Sequence, residues 1–157
     1  MMMRLSSDVL HALAGKTLAT AESCTGGGIG AALTAIAGSS AVYKGGVISY
    51  TNEIKEHILG VDGEMLARYG AVSSQVAQAM AEGAKKLLQT EIAVSVTGLA
   101  GPDGDDRGNP VGTVFIGYCD GIKSYAKEYL FNGDRESVRN LAIETALHII
   151  LSESENE

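Results

Sequence analysis

The stretch AESCTGGGIGAAL, Ala21–Leu33, places residues able to do chemistry where an apolar strand-like run gives way to a helix-like one. Ser23 would lie at the N-terminus of that helix, where unpaired N–H groups and the helix dipole favour negative charge. A serine there could attack a carbonyl carbon while the N–H groups of Cys24 to Gly27 stabilise the oxyanion. The other interpretation is that Ser23 and Thr25 only cap the helix, and this stretch taken alone favours that interpretation.

Familiar glycine motifs do not explain the stretch. GGGIG lacks the G-x-G-x-x-G spacing of dinucleotide sites, and the chain has no G-x-x-x-x-G-K-[ST] phosphate loop. The G-x-S-x-G turn of α/β-hydrolases is also absent, because Ala21 precedes Glu22. Any serine chemistry would therefore depend on residues elsewhere in the chain.

A nucleophilic serine needs a base, and the histidines are poor candidates. His11 and His148 fall in predicted helices at the two ends of the chain, and His57 is off the helical face of Lys55. Tyr50 ends a predicted strand, and Lys55 follows in the first turn of a helix, where the dipole favours a neutral amine. A solvated surface lysine is the alternative interpretation.

Two further residues near these strand ends have competing interpretations. Cys24 could rival Ser23 as the nucleophile, although successive side chains of an extended chain point to opposite sides, and free cysteines are often packed residues. The loop TGLAGPDGDDRGNPVGT offers Thr97 and Gly98 as polar contacts in a pocket wall, or is only a mobile turn. It is not a calcium loop, because Arg107 stands where a ligand should be and no glutamate closes it.

The elements that must position these residues alternate between helix and strand. We predict helices at 6–14, from Thr25 to about Ile36, from an Asn52 cap to His57, at 73–89 and from Asp134 onward, and strands at 16–22, 45–51 and 91–98, followed by a hairpin around Asp120 and Gly121. In the long helix Val76, Met80, Ala84 and Leu87 should face inward, and in the last one Val138, Ala142, Thr145 and Ile149. This order predicts a three-layer α/β domain with a mostly parallel sheet, in which the loops after the first three strands share one edge.

Bulk properties restrict the class of protein. The 157 residues, 45% hydrophobic and 20% charged, suit one globular domain, 1–157, with a frayed acidic tail at about 152–157. A net charge of −7, no basic stripe and no tryptophan argue against nucleic acid as a partner, and no apolar run is long enough for a membrane. Cys24 and Cys119 show neither disulfide nor metal spacing, which favours a reducing cytoplasm and no metal site.

Six segments, taken in order, resemble one family over nearly the whole chain. They are AESCTGG, AGSSAVYKGGVISYTNEIK, GAVSSQVAQAMAEGA, VTGLAGPDG, PVGTVF and GDRESVR. The sequence resembles the C-terminal domain family of the competence/damage-inducible protein CinA, whose active members are nicotinamide-nucleotide amidases. Longer members carry a separate N-terminal domain that these segments do not represent, so an activity of that domain is not implied.

The resemblance implies a fold, a reaction and a set of roles. The fold would be an α/β/α sandwich with a five-stranded mixed sheet, mostly parallel with one antiparallel strand. The reaction would be hydrolysis of nicotinamide mononucleotide to nicotinate mononucleotide and ammonia, without a metal or cofactor. The catalytic serine of the family falls on Ser23, its tyrosine and lysine partners on Tyr50 and Lys55, and the threonine of its TGxAGP motif on Thr97.

For the reaction we expect Ser23 to form a nicotinoyl ester while Lys55, acting through Tyr50, moves the proton. We expect eight residues to contact the substrate: Cys24, Thr25, Gly26, Gly27, Thr97, Gly98, Arg135 and Arg139. Either of the two arginines could bind its phosphate. The alternative is a non-catalytic nucleotide-binding or protein-interaction module. We also expect a homodimer or higher homo-oligomer.

Overall fold

The computed structural model describes residues 1–156 of the chain. Its helices and strands alternate in the order α1 Met2–Ala12, β1 Leu18–Glu22, α2 Gly28–Thr34, a 3₁₀ turn Ser39–Ala41, β2 Tyr43–Ile48, α3 Asn52–His57, α4 Gly63–Tyr69, α5 Ser74–Leu88, β3 Ile92–Gly98, β4 Thr113–Cys119, β5 Ser124–Leu130 and α6 Arg135–Glu155. The predicted alternation of helix and strand is confirmed, and α4 is an additional helix that the sequence did not indicate.

The five strands form one mixed sheet in the order β2-β1-β3-β4-β5. The central strand β1 pairs in parallel with β2 and β3, and β4 runs antiparallel to both of its neighbours. Four strands therefore run in one direction and β4 in the other, as expected. All five residues of β1 are buried, because helices cover both faces of the centre of the sheet.

Two helical layers enclose the sheet. On one face α1, α2 and α6 pack around an apolar cluster that includes Val9, Ile29 and Leu147. On the other face α5, supported by α4, packs Val76 and Met80 onto the sheet. The three-layer α/β/α sandwich is thus confirmed, and the sheet edge at the carboxyl end of β1 lies between the two helical layers.

The start of α2 differs from the expectation that Thr25 caps it. The helix begins at Gly28, and the cap residue is Gly27 with a left-handed φ of 101°. The Thr25 hydroxyl donates instead to the carboxylate of Glu22, at 2.7 Å from Oε1. A side chain bonded back to the strand cannot cap the helix that follows.

The connection from β2 to α3 is also shifted relative to the prediction. β2 ends at Ile48, so Tyr50 lies two residues beyond the strand rather than within it. Thr51, not Asn52, caps α3, because its side chain accepts a hydrogen bond from the N–H of Ile54. Further along, Leu87 of α5 is 49% exposed and does not face inward as predicted.

The C-terminal helix continues to Glu155. The prediction of a frayed tail from about residue 152 is therefore wrong for residues 152–155. Glu153 accepts hydrogen bonds from Lys123 Nζ and from the Tyr125 hydroxyl, each at 2.9 Å, so the last turns are tied to β5. The final residue of the predicted tail, 157, lies outside the described residues. None of the helices in the described chain, α6 included, combines the length and apolarity needed to cross a membrane.

Candidate active site

The carboxyl ends of β1, β2 and β3 meet at one edge of the sheet. Glu22, the last residue of β1, is aligned with Ile48 of β2 and Val96 of β3. The loops that follow border a cavity of about 770 Å³. Of the predicted site residues, the cavity brings together Ser23, Cys24, Tyr50, Lys55, Thr97, Gly98 and Arg135.

Lys55 contacts Ser23 directly. Its Nζ lies 3.0 Å from Ser23 Oγ and donates a second hydrogen bond of 2.8 Å to the main-chain oxygen of Ser49. The lysine is only 1% exposed, so its interpretation as a surface residue is wrong. Helical side chains point back toward the N-terminus, and α3 begins at the sheet edge, so Lys55 is directed inward toward the strand ends.

The same burial makes more of Lys55 available in its neutral, proton-accepting form. Desolvation lowers its pKa from 10.5 to about 8, partly opposed by the neighbouring Cys24. An amine with such a pKa is neutral in a substantial fraction of molecules at mildly alkaline pH. A neutral amine within hydrogen-bonding distance of a serine hydroxyl can accept its proton.

Tyr50 lies elsewhere in the cavity and is 58% exposed. Its hydroxyl accepts a hydrogen bond from Arg135 Nη2 at 3.1 Å, and Arg135 Nη1 donates to Gly101 O at 2.6 Å. Within residues 1–156, Tyr50 makes no hydrogen bond to Ser23 or Lys55. The expected relay through Tyr50 is therefore not the arrangement of this site, because the lysine reaches the serine without it.

Cys24 is placed as a packed residue. It is 7% exposed and belongs to the apolar cluster formed with α1, α2 and α6. Burial raises the pKa of its thiol from 9.0 to about 11, so little thiolate forms at neutral pH. Ser23 is the better placed nucleophile of the two, because its hydroxyl has the lysine as a partner.

Within residues 1–156, four of the predicted substrate contacts do not border the cavity: Thr25, Gly26, Gly27 and Arg139. Thr25 is fully buried and bonded to Glu22, and Gly26 and Gly27 adopt left-handed φ values of 59° and 101° that bend the chain into α2. The guanidinium of Arg139 donates to two main-chain oxygens of this turn. These residues shape the turn that carries Ser23 rather than the wall of the cavity.

Glu22 is a site-supporting residue that the sequence analysis passed over. Its carboxylate is 2% exposed and accepts hydrogen bonds from the N–H groups of Ile29 at 2.8 Å and Gly30 at 3.0 Å. Glu22 thus accepts hydrogen bonds from N–H groups in the first turn of α2, which is the capping role expected of Ser23 and Thr25. The serine hydroxyl is therefore free to contact Lys55. An acidic residue directly before a glycine-rich helix start was the available signal.

Thr97 and Gly98 form the wall at the end of β3. The Thr97 hydroxyl donates to Ala71 O at 2.9 Å, and its oxygen can still accept a hydrogen bond from a ligand. A Cβ on Gly98 would lie 2.7 Å from the main-chain oxygen of Thr113, so the pairing of β3 with β4 requires glycine here. Both positions are therefore set by the backbone around the cavity.

The loop from Leu99 to Gly112 closes one side of the cavity in a defined conformation. Asp105 accepts hydrogen bonds from the N–H groups of Arg107 at 3.1 Å and Asn109 at 3.0 Å. The Arg107 guanidinium donates to main-chain oxygens of Ala67 and Arg68 at the end of α4. These contacts identify the loop as a pocket wall.

Within residues 1–156, no group of three or more histidine, cysteine, aspartate or glutamate side chains is arranged to hold a metal ion.

Together, the fold and the site define a three-layer α/β protein with a buried serine–lysine pair at the carboxyl edge of its sheet. The family model of the CinA C-terminal domain matches residues 3–154. The chain therefore belongs to the CinA C-terminal domain family, as the sequence motifs indicated.

Relatives of known sequence and structure agree with this assignment. A CinA-like protein of Geobacter sulfurreducens is 48% identical over 133 residues, which cover 85% of this chain and 32% of that protein. A CinA-like protein of Parasynechococcus marenigrum is 48% identical over 147 residues, 91% of this chain and 35% of the relative. The chain thus spans about a third of the length of these curated relatives.

The crystal structure of a CinA superfamily protein from Klebsiella pneumoniae superposes with a TM-score of 0.97 at 35% identity, covering 100% of this chain and 99% of that one. The competence/damage inducible protein CihA of Agrobacterium tumefaciens superposes with a TM-score of 0.92 at 39% identity, covering 96% of this chain and 94% of the other. These solved structures share the complete fold.

Proposed function

We propose that this chain is a nicotinamide-nucleotide amidase, a hydrolase that converts nicotinamide mononucleotide to nicotinate mononucleotide and ammonia. The observation that carries the proposal is the 3.0 Å contact between Lys55 Nζ and Ser23 Oγ inside a cavity open to a small molecule. A lysine kept partly neutral by burial is suited to activate a serine. A binding module that performs no chemistry does not need this pair.

Acylation begins when neutral Lys55 accepts the Ser23 hydroxyl proton as Oγ attacks the carboxamide carbon. The positively charged pyridinium withdraws electrons from that carbon and makes it a better acceptor. N–H groups of the turn after Ser23 stabilise the oxyanion. Collapse of the tetrahedral intermediate breaks the C–N bond, and Lys55 gives its proton to the departing nitrogen, which leaves as ammonia.

Deacylation uses the same groups in reverse. Lys55 takes a proton from a water molecule, whose oxygen attacks the acyl carbon of the ester that joins Ser23 to the nucleotide. The ester bond breaks, the proton returns to Ser23 Oγ, and nicotinate mononucleotide leaves. Each proton and each leaving group is accounted for by Ser23, Lys55 and water.

We assign the phosphate of the substrate to Arg135 rather than to Arg139. Arg135 borders the cavity beside Tyr50, and two of its five N–H donors are used by Gly101 O and the Tyr50 hydroxyl. Arg139 points its donors into the turn after β1. Thr97 lies in the wall of the same cavity and is suited to contact the remainder of the nucleotide. The homo-oligomeric assembly and the cytoplasmic setting remain predictions.

The deciding experiment is ammonia release from nicotinamide mononucleotide by the purified chain, with the Ser23→Ala variant as the matched control. The nucleoside without its phosphate, offered in parallel, tests the role of Arg135. We expect ammonia and nicotinate mononucleotide in equal amounts from wild type and neither from Ser23→Ala. Binding of the nucleotide without any ammonia release would instead support the non-catalytic binding module.

A further inference from the structure

Arg139 of α6 reaches across to the turn between β1 and α2. Its Nε donates to Cys24 O at 3.0 Å and its Nη2 to Thr25 O at 3.1 Å. The planar guanidinium thus spans two successive main-chain carbonyls, which the single ammonium of a lysine cannot do in the same geometry. No carboxylate within residues 1–156 forms an ion pair with Arg139, so its charge acts on these peptide groups.

From Arg139 a chain of hydrogen bonds leads through two peptide units toward the nucleophile. Thr25 C=O, which accepts from Arg139, belongs to the same peptide unit as the Gly26 N–H. That N–H donates to Ser23 O at 3.0 Å, and Ser23 C=O shares its peptide unit with the Cys24 N–H. A trans peptide is planar and its N–H points away from its C=O, so a hydrogen bond that fixes the C=O also fixes the direction of the N–H.

The Cys24 N–H is the last donor of this chain, and the interaction that the described residues give it is with the thiol of its own side chain. In the described part of the protein it donates to no other residue, while Cys24 borders the cavity beside Ser23. The N–H of the residue after a nucleophile is a common oxyanion donor in acyl-transfer enzymes. A hydrogen-bonded chain in a buried environment is also polarised cooperatively, so a cation at its far end strengthens the donor at its near end.

We infer that Arg139 is a positioning residue for the oxyanion donor: it orients and polarises the Cys24 N–H through the Thr25–Gly26 and Ser23–Cys24 peptide units. The inference rests on the proposed amidase function for its kinetic consequence, but not for its structural one. Arg139 does not touch the substrate. It differs in this from Arg135, which lies one helical turn earlier on α6 and borders the cavity.

The test compares Arg139→Lys, Arg139→Met and, as the matched control on the same helix, Arg135→Met. Deleting an oxyanion donor costs about 10²–10³-fold in kcat, so loosening and depolarising one should cost about 10-fold or more in Arg139→Met. The KM should stay close to that of wild type, and Arg139→Lys should recover part of the loss. Arg135→Met should instead raise KM, because Arg135 is assigned to the phosphate.

A second measurement does not depend on activity. In the amide NMR spectrum of the unliganded protein, the Cys24 proton should move upfield in Arg139→Lys, because its peptide unit loses polarisation. The Gly26 proton should move in the same direction. If wild type releases no ammonia, the proposed function fails, but the amide shift still decides the role of Arg139.

Three results would overturn the inference. One is an Arg139→Met protein that keeps its kcat. Another is a raised KM with an unchanged kcat, which would make Arg139 a ligand contact. The third is an unmoved Cys24 amide proton in Arg139→Lys, the variant to use if Arg139→Met does not fold.

Discussion

Lys55 Nζ and Ser23 Oγ lie 3.0 Å apart, although the two residues are 32 positions apart in the chain. Lys55 is 1% exposed and Ser23 8% exposed, so bulk water does not compete strongly for this contact. The second hydrogen bond of Lys55, to Ser49 O, fixes the amine from the β2 side. The base therefore reaches the nucleophile without an intermediate side chain, which is the relationship that the following predictions test.

The Lys55→Met variant should lose nearly all turnover and keep its fold. Methionine has a similar length and no charge, so it fills the buried site, and two atoms, Ser49 O and Ser23 Oγ, lose a partner. Loss of a general base typically costs about 10²–10⁴-fold in rate. The measurement is kcat for ammonia release, together with circular dichroism to check the fold.

His57→Gln is the matched control for Lys55→Met, because His57 lies on the same short helix. Its side chain is 63% exposed and its nearest charged partner, Glu56, is 3.9 Å away. We expect this variant to retain wild-type activity. An active Lys55→Met protein combined with an inactive His57→Gln protein would transfer the role of base to the histidine.

The rate should rise with pH and level off, because the neutral amine of Lys55 is the active form. Burial lowers its pKa to about 8 in the unliganded protein, so the kcat/KM profile of wild type should show its midpoint near that value. Below the midpoint the lysine is protonated and cannot accept the serine proton. A profile that is flat through this range, measured with one buffer system at constant ionic strength, would contradict the assignment of Lys55.

The same pKa shift predicts how stability depends on pH. The folded pKa of about 8 lies below the unfolded value of 10.5, so between them the unfolded chain binds more protons at this position. The free energy of unfolding of wild type, minus that of Lys55→Met, should therefore increase with pH through this window. Chemical denaturation of both proteins at the two ends of this pH window measures the difference in the free energy of unfolding. A difference that does not increase with pH would show that the folded pKa is not lowered.

The architecture could be predicted from the sequence, because it depends on repeated local signals. The continuous apolar run of β3, the turn at Asp120 and Gly121 and the Asp134 cap each belong to one segment and specify it independently. Helix α4 was missed because its seven residues, Gly63–Tyr69, are too few to show a helical period.

The candidate site was predicted only in part, because the contacts that organise it join distant segments. Ser23 and Lys55 could be selected by residue type and position, but the burial of Lys55 depends on where α3 begins relative to the sheet edge. The role of Glu22 depends on the backbone geometry of the turn, and the separation of Arg139 from the cavity depends on the approach of α6. Residue patterns along one segment do not contain this information.

Tyr50→Phe should affect binding more than chemistry. The phenol contacts Arg135 at 3.1 Å rather than Ser23 or Lys55, so its removal should raise KM while kcat changes little. A double-mutant cycle with Arg135→Met should show that the two effects are not additive, since one hydrogen bond joins the residues. A large fall in kcat with unchanged KM would restore Tyr50 as a proton relay.

Metal chelation should leave the activity unchanged. Within residues 1–156, no arrangement of metal-ligating side chains is present, and the proposed steps use Ser23, Lys55 and water alone. The measurement is ammonia release after prolonged dialysis against a chelator, compared with a mock-dialysed sample. Loss of activity that a divalent ion restores would contradict the metal-free mechanism.

The adjacent Ser23 and Cys24 should behave in opposite ways when each is replaced by alanine. The Cys24 side chain packs in the apolar cluster, and burial raises its pKa to about 11, so Cys24→Ala should keep appreciable activity. The lost volume should lower stability by about 1 kcal/mol, within the range for small core truncations. Ser23→Ala should fold, bind the nucleotide and release no ammonia.

Intact-mass analysis of wild type quenched during turnover completes the comparison. An adduct with the mass of the substrate minus ammonia should map to the peptide that contains Ser23 and resist conditions that cleave thioesters, because the ester is formed with oxygen. Its absence in Ser23→Ala and its persistence in Cys24→Ala would follow from the contact that only the serine makes with Lys55. An adduct on Cys24, or an active Ser23→Ala protein, would make this a thiol enzyme and exclude the serine mechanism.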